Sequence, residues 1–273
     1  MFLKKMCFIL CAVISLVIFN EKAYAYDYSV YIEEEMISDE SLIVYNGDTY
    51  IDILQFISII TDNVSLNMYN SDFAQVVCFV DENNIVAINA KTGNSYVNVN
   101  GRYLYVENKV LSREGKIYLP LRVMTKAFGG RINVCDDINK IYITLGNKVL
   151  TLGSRYYNSN TVELLAHLIY SEGGDQPLKG KIAIGNVVVN RVLSPYFPNS
   201  VSEVIYANNQ FDGIKSNNFR KQPNDESYIA AKIALEYTQV VDGALYFNMT
   251  GMNSWASKAK HYITTIGDHD FFK

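Results

Sequence analysis

Hydrophobic and polar residues alternate along much of the first half of the chain and recur at helical spacing in the second half. Between residues 96 and 106, apolar and polar side chains alternate on both sides of Asn100-Gly101, a residue pair that favours a tight hairpin turn. After Asn160 the apolar positions follow helical spacing, as at Leu164, Leu165, Leu168 and Ile169. This pattern predicts an α+β protein with a β-rich N-terminal part and a mainly helical C-terminal part.

A short motif occurs twice in the first half. Residues 47–53 (GDTYIDI) and 115–121 (GKIYLPL) share a leading glycine, a tyrosine and the apolar positions around it. Each copy is followed by a short apolar stretch at helical spacing, at residues 56–60 and 123–128. The sequence therefore predicts two related units, each ending in a short helix.

The first 25 residues have the pattern of a cleaved signal peptide. Lys4 and Lys5 precede an apolar run of 14 residues, and Ala23-Tyr24-Ala25 has the small-x-small pattern that signal peptidase accepts. A retained membrane anchor is the weaker alternative, because 14 helical residues are short for a hydrocarbon core of ~30 Å. The pattern predicts a secreted protein with no stable membrane span after cleavage.

The distribution of charge and the hydrophobic pattern divide the remaining chain in two. Residues 26–154 carry 10 Lys+Arg and 16 Asp+Glu, whereas residues 155–273 carry 11 of each. The polar stretch from Ser154 to Asn160 lacks hydrophobic periodicity and lies at this boundary. We therefore predict an accessory domain at 26–154 and a second domain at 155–273. The net charge of −4 provides no broad basic surface, which argues against nucleic acid as a partner.

Cysteine and histidine usage limits the chemistry. Cys78 and Cys135 follow the signal peptide, and one disulfide or two separate thiols fit the sequence equally well. His167, His261 and His269 are scattered and form no HExxH motif, which argues against a zinc amidase. A Ser or Cys hydrolase has no support either, since there is no GxSxG motif and no Cys in the second domain. We predict no metal and no cofactor.

A glutamate stands at an unfavourable position at the end of the first long helix. This helix is predicted from Thr161 to the stretch Ser171-Glu172-Gly173-Gly174. The negative end of the helix macrodipole and the apolar neighbours are both expected to raise the pKa of Glu172. A surface glutamate at a fraying helix end is the alternative interpretation.

The next helix strengthens the case for a site at Glu172. It is predicted to begin at Gln176-Pro177, because proline suits the first turn of a helix. Residues 182–192 are apolar nearly all round, except for Asn186 and Asn190 at i, i+4 spacing. Buried amides need hydrogen-bond partners, so a polar stripe beside a buried glutamate indicates a functional site.

The C-terminal part resembles a known enzyme family. Residues 164–192 have the sequence LLAHLIYSEGGDQPLKGKIAIGNVVVNRV and resemble the opening motif of the cell wall hydrolases of the spore-cortex-lytic SleB and CwlJ type. Later segments resemble further blocks of that family in the same order: residues 194–201, 204–206, 209–211, 243–248 and 266–272. The resemblance covers about residues 160–273. It implies a lysozyme-like, largely helical catalytic domain that acts on peptidoglycan glycan strands.

The N-terminal part resembles a different family. Residues 40–150, most specifically Tyr118-Leu119-Pro120-Leu121-Arg122, resemble the small domain named after the amino terminus of copper amine oxidases. This part has no histidine, the ligand that copper(II) sites favour, so we expect no copper there. The resemblance suggests an accessory or wall-contacting domain, and a simple spacer is the alternative.

The resemblance assigns the catalytic role to Glu172. A lytic transglycosylase uses one carboxyl group to protonate the glycosidic oxygen and then, as a base, to help the muramic acid 6-hydroxyl close an anhydro ring. A hydrolase would use a second carboxylate. The candidates for that second carboxylate are Asp175, Asp212, Asp242 and Asp268. Of these, Asp175 is expected to cap the second helix, and Asp242 with Gly243 to form a turn.

Other polar and aromatic residues are candidates for binding the substrate. They are Gln176, Asn190, Gln210, Phe211, Tyr246 and Asn248. Amides suit N-acetyl groups, an aromatic face at Phe211 suits a sugar ring, and Tyr246 and Asn248 are predicted to share one strand face. For Trp255 we expect core packing, for His269 a structural role, and for His167 no role.

Taken together, the sequence predicts a secreted peptidoglycan lytic transglycosylase that cleaves the MurNAc-GlcNAc bond, with the spore cortex as the expected target. One alternative is a hydrolytic muramidase of the vegetative wall. The other is a wall-binding or structural protein with an inactive enzymatic fold. Protein partners cannot be inferred from the sequence.

Overall fold

The structure is a computed structural model that describes residues 28–208 and 210–273. The predicted signal peptide at residues 1–25 lies outside these residues. The described chain confirms the predicted α+β class, since sheets dominate its N-terminal part and helices its C-terminal part. The predicted boundary falls at a short helix that begins at Gly153.

The N-terminal part consists of strands and two short helices. Its strands are β1 (Ser29–Ile32), β2 (Glu35–Met36), β3 (Leu42–Tyr45), β4 (Asp48–Asp52), β5 (Val64–Tyr69), β6 (Phe73–Phe79), β7 (Ile85–Lys91), β8 (Tyr96–Val99), β9 (Arg102–Tyr105), β10 (Leu111–Arg113), β11 (Lys116–Pro120), β12 (Arg131–Cys135) and β13 (Lys140–Thr144). Its helices are α1 (Ile53–Ser58) and α2 (Leu121–Ala127). The strands form sheets with the orders β12-β13-β1-β2, β10-β11-β4-β3 and β5-β6-β7-β8-β9.

The C-terminal part combines helices with a small three-stranded sheet. Its helices are α3 (Gly153–Tyr156), α4 (Ser159–Gly173), α5 (Leu178–Leu193), α6 (Val201–Tyr206), α7 (Asp225–Leu235) and α8 (Trp255–Ala259). Its strands are β14 (Tyr246–Met249), β15 (Tyr262–Ile266) and β16 (His269–Phe272), in the order β14-β16-β15. Short 3-10 helices at Asp212–Lys215 and Asn218–Arg220 connect α6 to α7.

The two copies of the repeated motif lie side by side. They form the central strands β4 and β11, which pair antiparallel with Ile51 opposite Leu119. Each strand leads directly into a helix, α1 after β4 and α2 after β11, as predicted. The glycine that opens each copy, Gly47 or Gly115, has a positive φ that a glycine adopts without strain. The repeat therefore builds the centre of one sheet from two related units.

The predicted hairpin is confirmed as β8 and β9. Its turn residues Asn100 and Gly101 have φ values of 55° and 80°, as a two-residue hairpin turn of this hand requires. The Asn100 side chain also accepts a hydrogen bond from Ala87 N at 2.7 Å and donates one to Leu150 O at 2.8 Å. The turn is therefore attached to β7 and to the segment that leads into the C-terminal part.

The helices α4 and α5 form the centre of the C-terminal core. The α4 N-cap is Asn158, whose side chain accepts a hydrogen bond from Thr161 N at 3.0 Å, so the helix begins at Ser159, two residues before the predicted start at Thr161. In α5 every residue from Gly180 to Val189 is buried, which confirms the helix predicted to be apolar all round. Burial on all sides explains the near absence of polar residues in this stretch.

The two cysteines are free thiols in the structure, which resolves the alternatives that the sequence left open. Cys78 is buried in the N-terminal core, where burial raises the pKa of its thiol to about 11, whereas Cys135 is half-buried at the end of β12.

Within residues 28–208 and 210–273, no helix is both long and apolar enough to cross a bilayer. The same residues contain no group of three or more His, Cys, Asp or Glu side chains arranged to hold a metal ion.

Candidate functional site

Glu172 lies in the last turn of α4, and its carboxylate meets a loop from elsewhere in the chain. The backbone N–H of Gly213 donates a hydrogen bond of 2.9 Å to Oε1 of Glu172. A Cβ atom on Gly213 would collide with this oxygen and with Oγ of Ser171. Only a residue without a side chain therefore fits this close approach of backbone to carboxylate. The glutamate is half-buried, as expected for the end of a helix that packs into the core.

The loop that carries Gly213 is itself held against α4. Ser216 Oγ donates a hydrogen bond of 2.6 Å to Gly213 O and accepts one from Phe219 N at 3.3 Å. His167, one and a half turns before Glu172 on α4, lies with Nδ1 2.7 Å from Phe219 O. The carbonyl can only accept, so Nδ1 carries the proton in this hydrogen bond. We predicted no role for His167, but in the structure it anchors the loop that contacts Glu172.

Gln176 follows Glu172 at the start of the α4–α5 connection and is 6% exposed. Its Oε1 accepts a hydrogen bond from Asp268 N at 2.8 Å, and its Nε2 donates one to Asp268 Oδ2 at 3.1 Å. Nε2 also lies 3.3 Å from Asp175 Oδ1. Both ends of the amide are thus bound to the protein, and they fix the β15–β16 turn beside α5. The predicted cap at Asp175 is wrong, because Pro177 is the N-cap of α5 and supplies no side-chain hydrogen bond.

The asparagines of α5 hold the segment between α7 and β14. Asn186 donates to Thr238 O at 2.7 Å and accepts from Val240 N at 2.9 Å. Asn190 donates to Ala244 O at 3.0 Å. The prediction that these buried amides need partners is confirmed, and the partners are backbone groups of this segment. For Asn190, binding of substrate stays a prediction.

Phe211 and Gln210 precede Gly213 in the same loop and differ in exposure. The sequence predicts an aromatic face at Phe211 for a sugar ring, but the structure leaves this side chain only 5% exposed. It packs into the C-terminal core, with its ring 6.3 Å from that of Phe247 and 4.8 Å from the Arg191 guanidinium carbon. The stacking role is therefore wrong for this arrangement of the loop. Gln210 is exposed.

Arg191 is a charged residue that sequence reasoning overlooked. It is 4% exposed, and its burial lowers the pKa of the guanidinium to about 10. Its Nε donates to Leu245 O at 2.8 Å, and its guanidinium carbon lies 5.1 Å from the Phe197 ring and 5.6 Å from the Tyr246 ring. The aromatic faces compensate part of the cost of burying this charge. Arg191 thereby joins α5 to the Phe211 loop and to β14.

Tyr246 and Asn248 lie at alternate positions of β14, as predicted. The Tyr246 ring meets the Trp255 ring edge-on at 5.5 Å, and Lys260 Nζ lies 4.7 Å from the Tyr246 ring centre. Asn248 Oδ1 accepts a hydrogen bond of 2.6 Å from Oγ of Ser254, the N-cap of α8. The expected core position of Trp255 is wrong, since this side chain is 63% exposed. Its place in the first turn of a short surface helix keeps the indole in solvent.

His269 lies in β16 and is 6% exposed. Burial lowers the pKa of its imidazole, and its ring packs edge-on against Phe247 at 5.4 Å. Within the described chain, Nδ1 of His269 is buried and has no hydrogen-bond partner, so the expected structural histidine is buried but not fully satisfied.

Of the remaining acidic candidates, Asp242 lies in a turn with Gly243, which has a φ of 66° and confirms the predicted turn.

The arrangement joins a carboxyl group to a loop through a backbone N–H. A hydrogen bond donated to Oε1 makes that oxygen an acceptor, which favours Oε2 as the oxygen that carries the proton of a protonated Glu172 carboxyl group. A positioned carboxyl group of this kind is suited to general acid and base chemistry. The contribution of Gly213 has no local sequence signal, because the residue is 41 positions from Glu172 and contributes only its backbone.

Two family models match the chain. Residues 30–143 match the copper amine oxidase N-terminal domain, and residues 175–272 match the model described as cell wall hydrolase. Glu172 lies just before the second matched stretch. The two matches together cover most of the described residues of the chain and follow the order predicted for its two domains.

Curated relatives match the C-terminal part. The spore cortex-lytic enzyme of Bacillus subtilis (strain 168) is 34% identical over 116 residues, which are 42% of this chain and 38% of that protein. The spore cortex-lytic enzyme of Bacillus cereus (strain ATCC 14579) is 32% identical over 118 residues, 43% of this chain and 46% of that protein. The chain thus spans less than half the length of these relatives.

Two solved structures match the same region. The catalytic domain of the Bacillus cereus SleB protein has 30% identity and a TM-score of 0.40, over 43% of this chain and 92% of that one. The catalytic domain of the germination-specific lytic transglycosylase SleB from Bacillus anthracis has 29% identity and a TM-score of 0.41, over 45% of this chain and 100% of that one.

Proposed function

We propose, from the match of residues 175–272 to the cell wall hydrolase model, that this protein is a lytic transglycosylase that cleaves peptidoglycan between N-acetylmuramic acid and N-acetylglucosamine. Glu172 is its catalytic residue. The observation that carries the proposal is the hydrogen bond from Gly213 N to Oε1 of Glu172, which orients the carboxyl group at the end of α4. The spore cortex is the proposed target, and the predicted signal peptide provides export.

The Glu172 carboxyl group acts as an acid in the first step of the reaction and as a base in the second. In the first step the carboxyl group, protonated on Oε2, donates its proton to the glycosidic oxygen as positive charge develops on the muramic acid ring. The resulting carboxylate keeps the Gly213 hydrogen bond, which stabilises its negative charge. In the second step the carboxylate accepts the proton of the 6-hydroxyl, and that oxygen closes the 1,6-anhydro ring. No water enters the product.

The substrate-binding residues proposed around this centre are Gln176, Asn190, Gln210, Tyr246 and Asn248. Gln176 lies in the α4–α5 connection, hydrogen-bonded to Asp268, and Asn190 lies in α5, hydrogen-bonded to Ala244 O. Tyr246 contributes from beside the exposed Trp255, which supplies an aromatic face toward solvent that the buried Phe211 does not. An exposed indole next to a half-buried tyrosine is suited to the apolar face of a sugar.

The test is the substitution Glu172→Gln, which removes the titrating group and keeps the shape of the side chain. We expect this variant to release no muropeptides from purified cortex or sacculi, while its circular dichroism spectrum stays unchanged. The matched control is Glu203→Gln, the same chemical change at an exposed residue of α6, which is expected to keep full activity. Undiminished release by Glu172→Gln would overturn the catalytic assignment.

The reaction type is tested by the mass of the products. Transglycosylation leaves 1,6-anhydro ends that are about 18 Da, one water, lighter than the reducing ends left by hydrolysis. Exclusively reducing ends would identify a hydrolytic muramidase instead. Retention on sacculi with no release of fragments by the wild-type protein would identify a wall-binding protein. Digesting cortex and vegetative peptidoglycan side by side decides between the two targets.

A further inference from the structure

A groove with the lining of a carbohydrate site lies on the outer face of the five-stranded sheet β5–β9. It is open to solvent and has a volume of about 370 Å³, within the range of about 300–1,000 Å³ typical of ligand sites. Its lining consists of three aromatic rings, three asparagines and one lysine: Phe73, Asn89, Lys91, Asn94, Tyr96, Asn98 and Tyr103. These residues belong to the N-terminal domain and are separate from Glu172 and the residues around it.

The alternation of side chains along the strands produces this surface. In β6 to β9 every second residue is buried in the N-terminal core, as the pattern along Phe73–Phe79 shows. The remaining positions face outward and come into line through the strand register. Gln75 pairs with Asn89, Asn89 with Asn98, and Asn98 with Tyr103, so three amides and a phenol form one row across four strands. Phe73, paired with Lys91, lies beside this row.

The row is costly for a purely structural surface. Asparagine is disfavoured in β-strands, and Asn89 occupies a position of β7 where a β-branched residue would stabilise the sheet, whereas Asn98 Oδ1 accepts a hydrogen bond from Gly101 N at 3.1 Å in the hairpin turn. Amides instead donate and accept hydrogen bonds, as the hydroxyl and N-acetyl groups of amino sugars require. Flanking rings such as Tyr96 and Tyr103, whose centres are 5.7 Å apart, offer apolar faces to the C–H groups of a sugar. The ammonium of Lys91 is suited to a carboxylate.

The groove also adjoins the C-terminal domain. Lys232 of α7 has its Nζ 5.1 Å from the ring centre of Tyr103, and Tyr96 packs against the C-terminal core. A polymer bound along the row of amides therefore approaches the C-terminal domain at its Tyr103 end. A site that holds a strand next to the cleaving domain raises the local concentration of substrate.

We propose that this groove binds a glycan strand of N-acetylated amino sugars that carry carboxylates, as in peptidoglycan. The identity of the polymer rests on the proposed function, whereas the presence of a carbohydrate site rests on the groove itself. The N-terminal domain is then a substrate-binding domain and more than a spacer.

The test compares substitutions on one face of the sheet, on strands β6 and β7, in the full-length protein, with Glu172→Gln added to prevent cleavage. Phe73→Ala combined with Asn89→Ala is expected to weaken retention on purified sacculi about tenfold, as the half-saturating sacculus concentration measures. The control is Phe79→Ala, on the same strand and the same face as Phe73 but outside the groove, where the side chain is 37% exposed. It is expected to bind as the parent does.

A second variant tests the groove at an exposed position where the substitution should not affect folding. Lys91→Ala changes an exposed side chain and is expected to weaken retention without altering the thermal unfolding midpoint. Unchanged retention in the double variant and in Lys91→Ala, or an equal loss in Phe79→Ala, would overturn the proposal. Variants that carry the same substitutions without Glu172→Gln are expected to cleave a soluble disaccharide dimer at the wild-type rate. If the wild-type protein cleaves no substrate but retention still depends on Phe73 and Asn89, the proposed function fails and the groove assignment stands.

Discussion

Arg102 and Glu236 form a bidentate ion pair across the boundary between the two domains. Nε and Nη2 of Arg102, in β9, each lie 2.6 Å from a different carboxylate oxygen of Glu236, which directly follows α7. The Glu236 side chain is fully buried, and it also accepts hydrogen bonds from Tyr157 Oη at 2.7 Å and Lys126 Nζ at 3.0 Å. The Arg102 guanidinium stacks on the Tyr156 ring at 3.4 Å. The polar stretch predicted to be a joint thus folds into the interface.

Removing the charge of Glu236 is expected to destabilise the protein strongly. Glu236→Gln leaves the guanidinium of Arg102 buried without its counter-ion, and breaking a buried pair in this way typically costs about 3 kcal/mol or more of unfolding free energy. Urea unfolding followed by tryptophan fluorescence and by circular dichroism measures the loss. The signal from Trp255 reports on the C-terminal domain, so separation of the two curves would reveal domains that have lost their coupling.

A second pair across the same boundary provides the control. Glu107 and Lys179 also join the two domains, with Oε1 and Nζ 2.5 Å apart, but their side chains are 51% and 41% exposed. Exposed pairs contribute about 1 kcal/mol or less, so Glu107→Gln is expected to change the unfolding free energy little. Equal losses from Glu107→Gln and Glu236→Gln would contradict the importance of burial.

The same cluster predicts a dependence of stability on pH. Burial alone would raise the pKa of Glu236, but hydrogen bonds from Arg102, Tyr157 and Lys126 outweigh it and hold the pKa below its ordinary value of 4.5. Because the folded-state pKa is the lower one, the stabilisation is fully present above pH 4.5 and is lost as the pH falls through the folded-state value. The stability difference between wild type and Glu236→Gln should therefore be constant from pH 6 to 8 and shrink below about pH 4.5. A difference that grows on acidification would contradict this sign.

Local patterns were sufficient to predict much of the fold. The Asn100-Gly101 turn and the burial of α5 follow from turn chemistry and from apolar periodicity, which act over a few residues. The repeated motif also predicted the units that become β4-α1 and β11-α2. It did not predict that the copies pair with each other, since pairing depends on how the chain returns after 68 residues.

The site was predictable only where one residue and its immediate neighbours decide the outcome. Glu172 could be identified from its place at the end of an apolar helix. The Gly213 hydrogen bond and the burial of Phe211 depend on a loop that His167 and Arg191 hold, and these contacts join positions far apart in sequence. For the same reason Trp255, expected in the core, is exposed, and Phe211, expected at the surface, is buried. Aromatic character alone does not specify which ring the tertiary structure buries.

Gly213→Ala is expected to reduce activity without unfolding the protein. The added Cβ would collide with Oε1 of Glu172, so the carboxyl group or the loop must move. A displacement of about 1 Å in a catalytic group typically costs about a hundredfold in rate, and we expect a loss of that size in kcat for muropeptide release. The control is Lys215→Ala, an exposed residue of the same 3-10 helix, which is expected to keep wild-type kcat. Wild-type activity in Gly213→Ala would contradict a role for the close approach of this loop to the Glu172 carboxyl group.

Trp255→Ala is expected to weaken substrate binding and leave the chemical step intact. The indole is 63% exposed, packs edge-on against Tyr246 and lies 5.1 Å from Lys260 Nζ, so its removal exposes neither the core nor an unpaired charge. An aromatic platform that binds ground state and transition state equally changes KM alone. Loss of one stacked ring is expected to raise KM for soluble glycan fragments about tenfold at constant kcat. Tyr206→Ala, which removes a ring that is 58% exposed on α6, is the control and should leave both constants unchanged. An unchanged KM in Trp255→Ala, or a fall in kcat alone, would contradict a platform for sugar at this position.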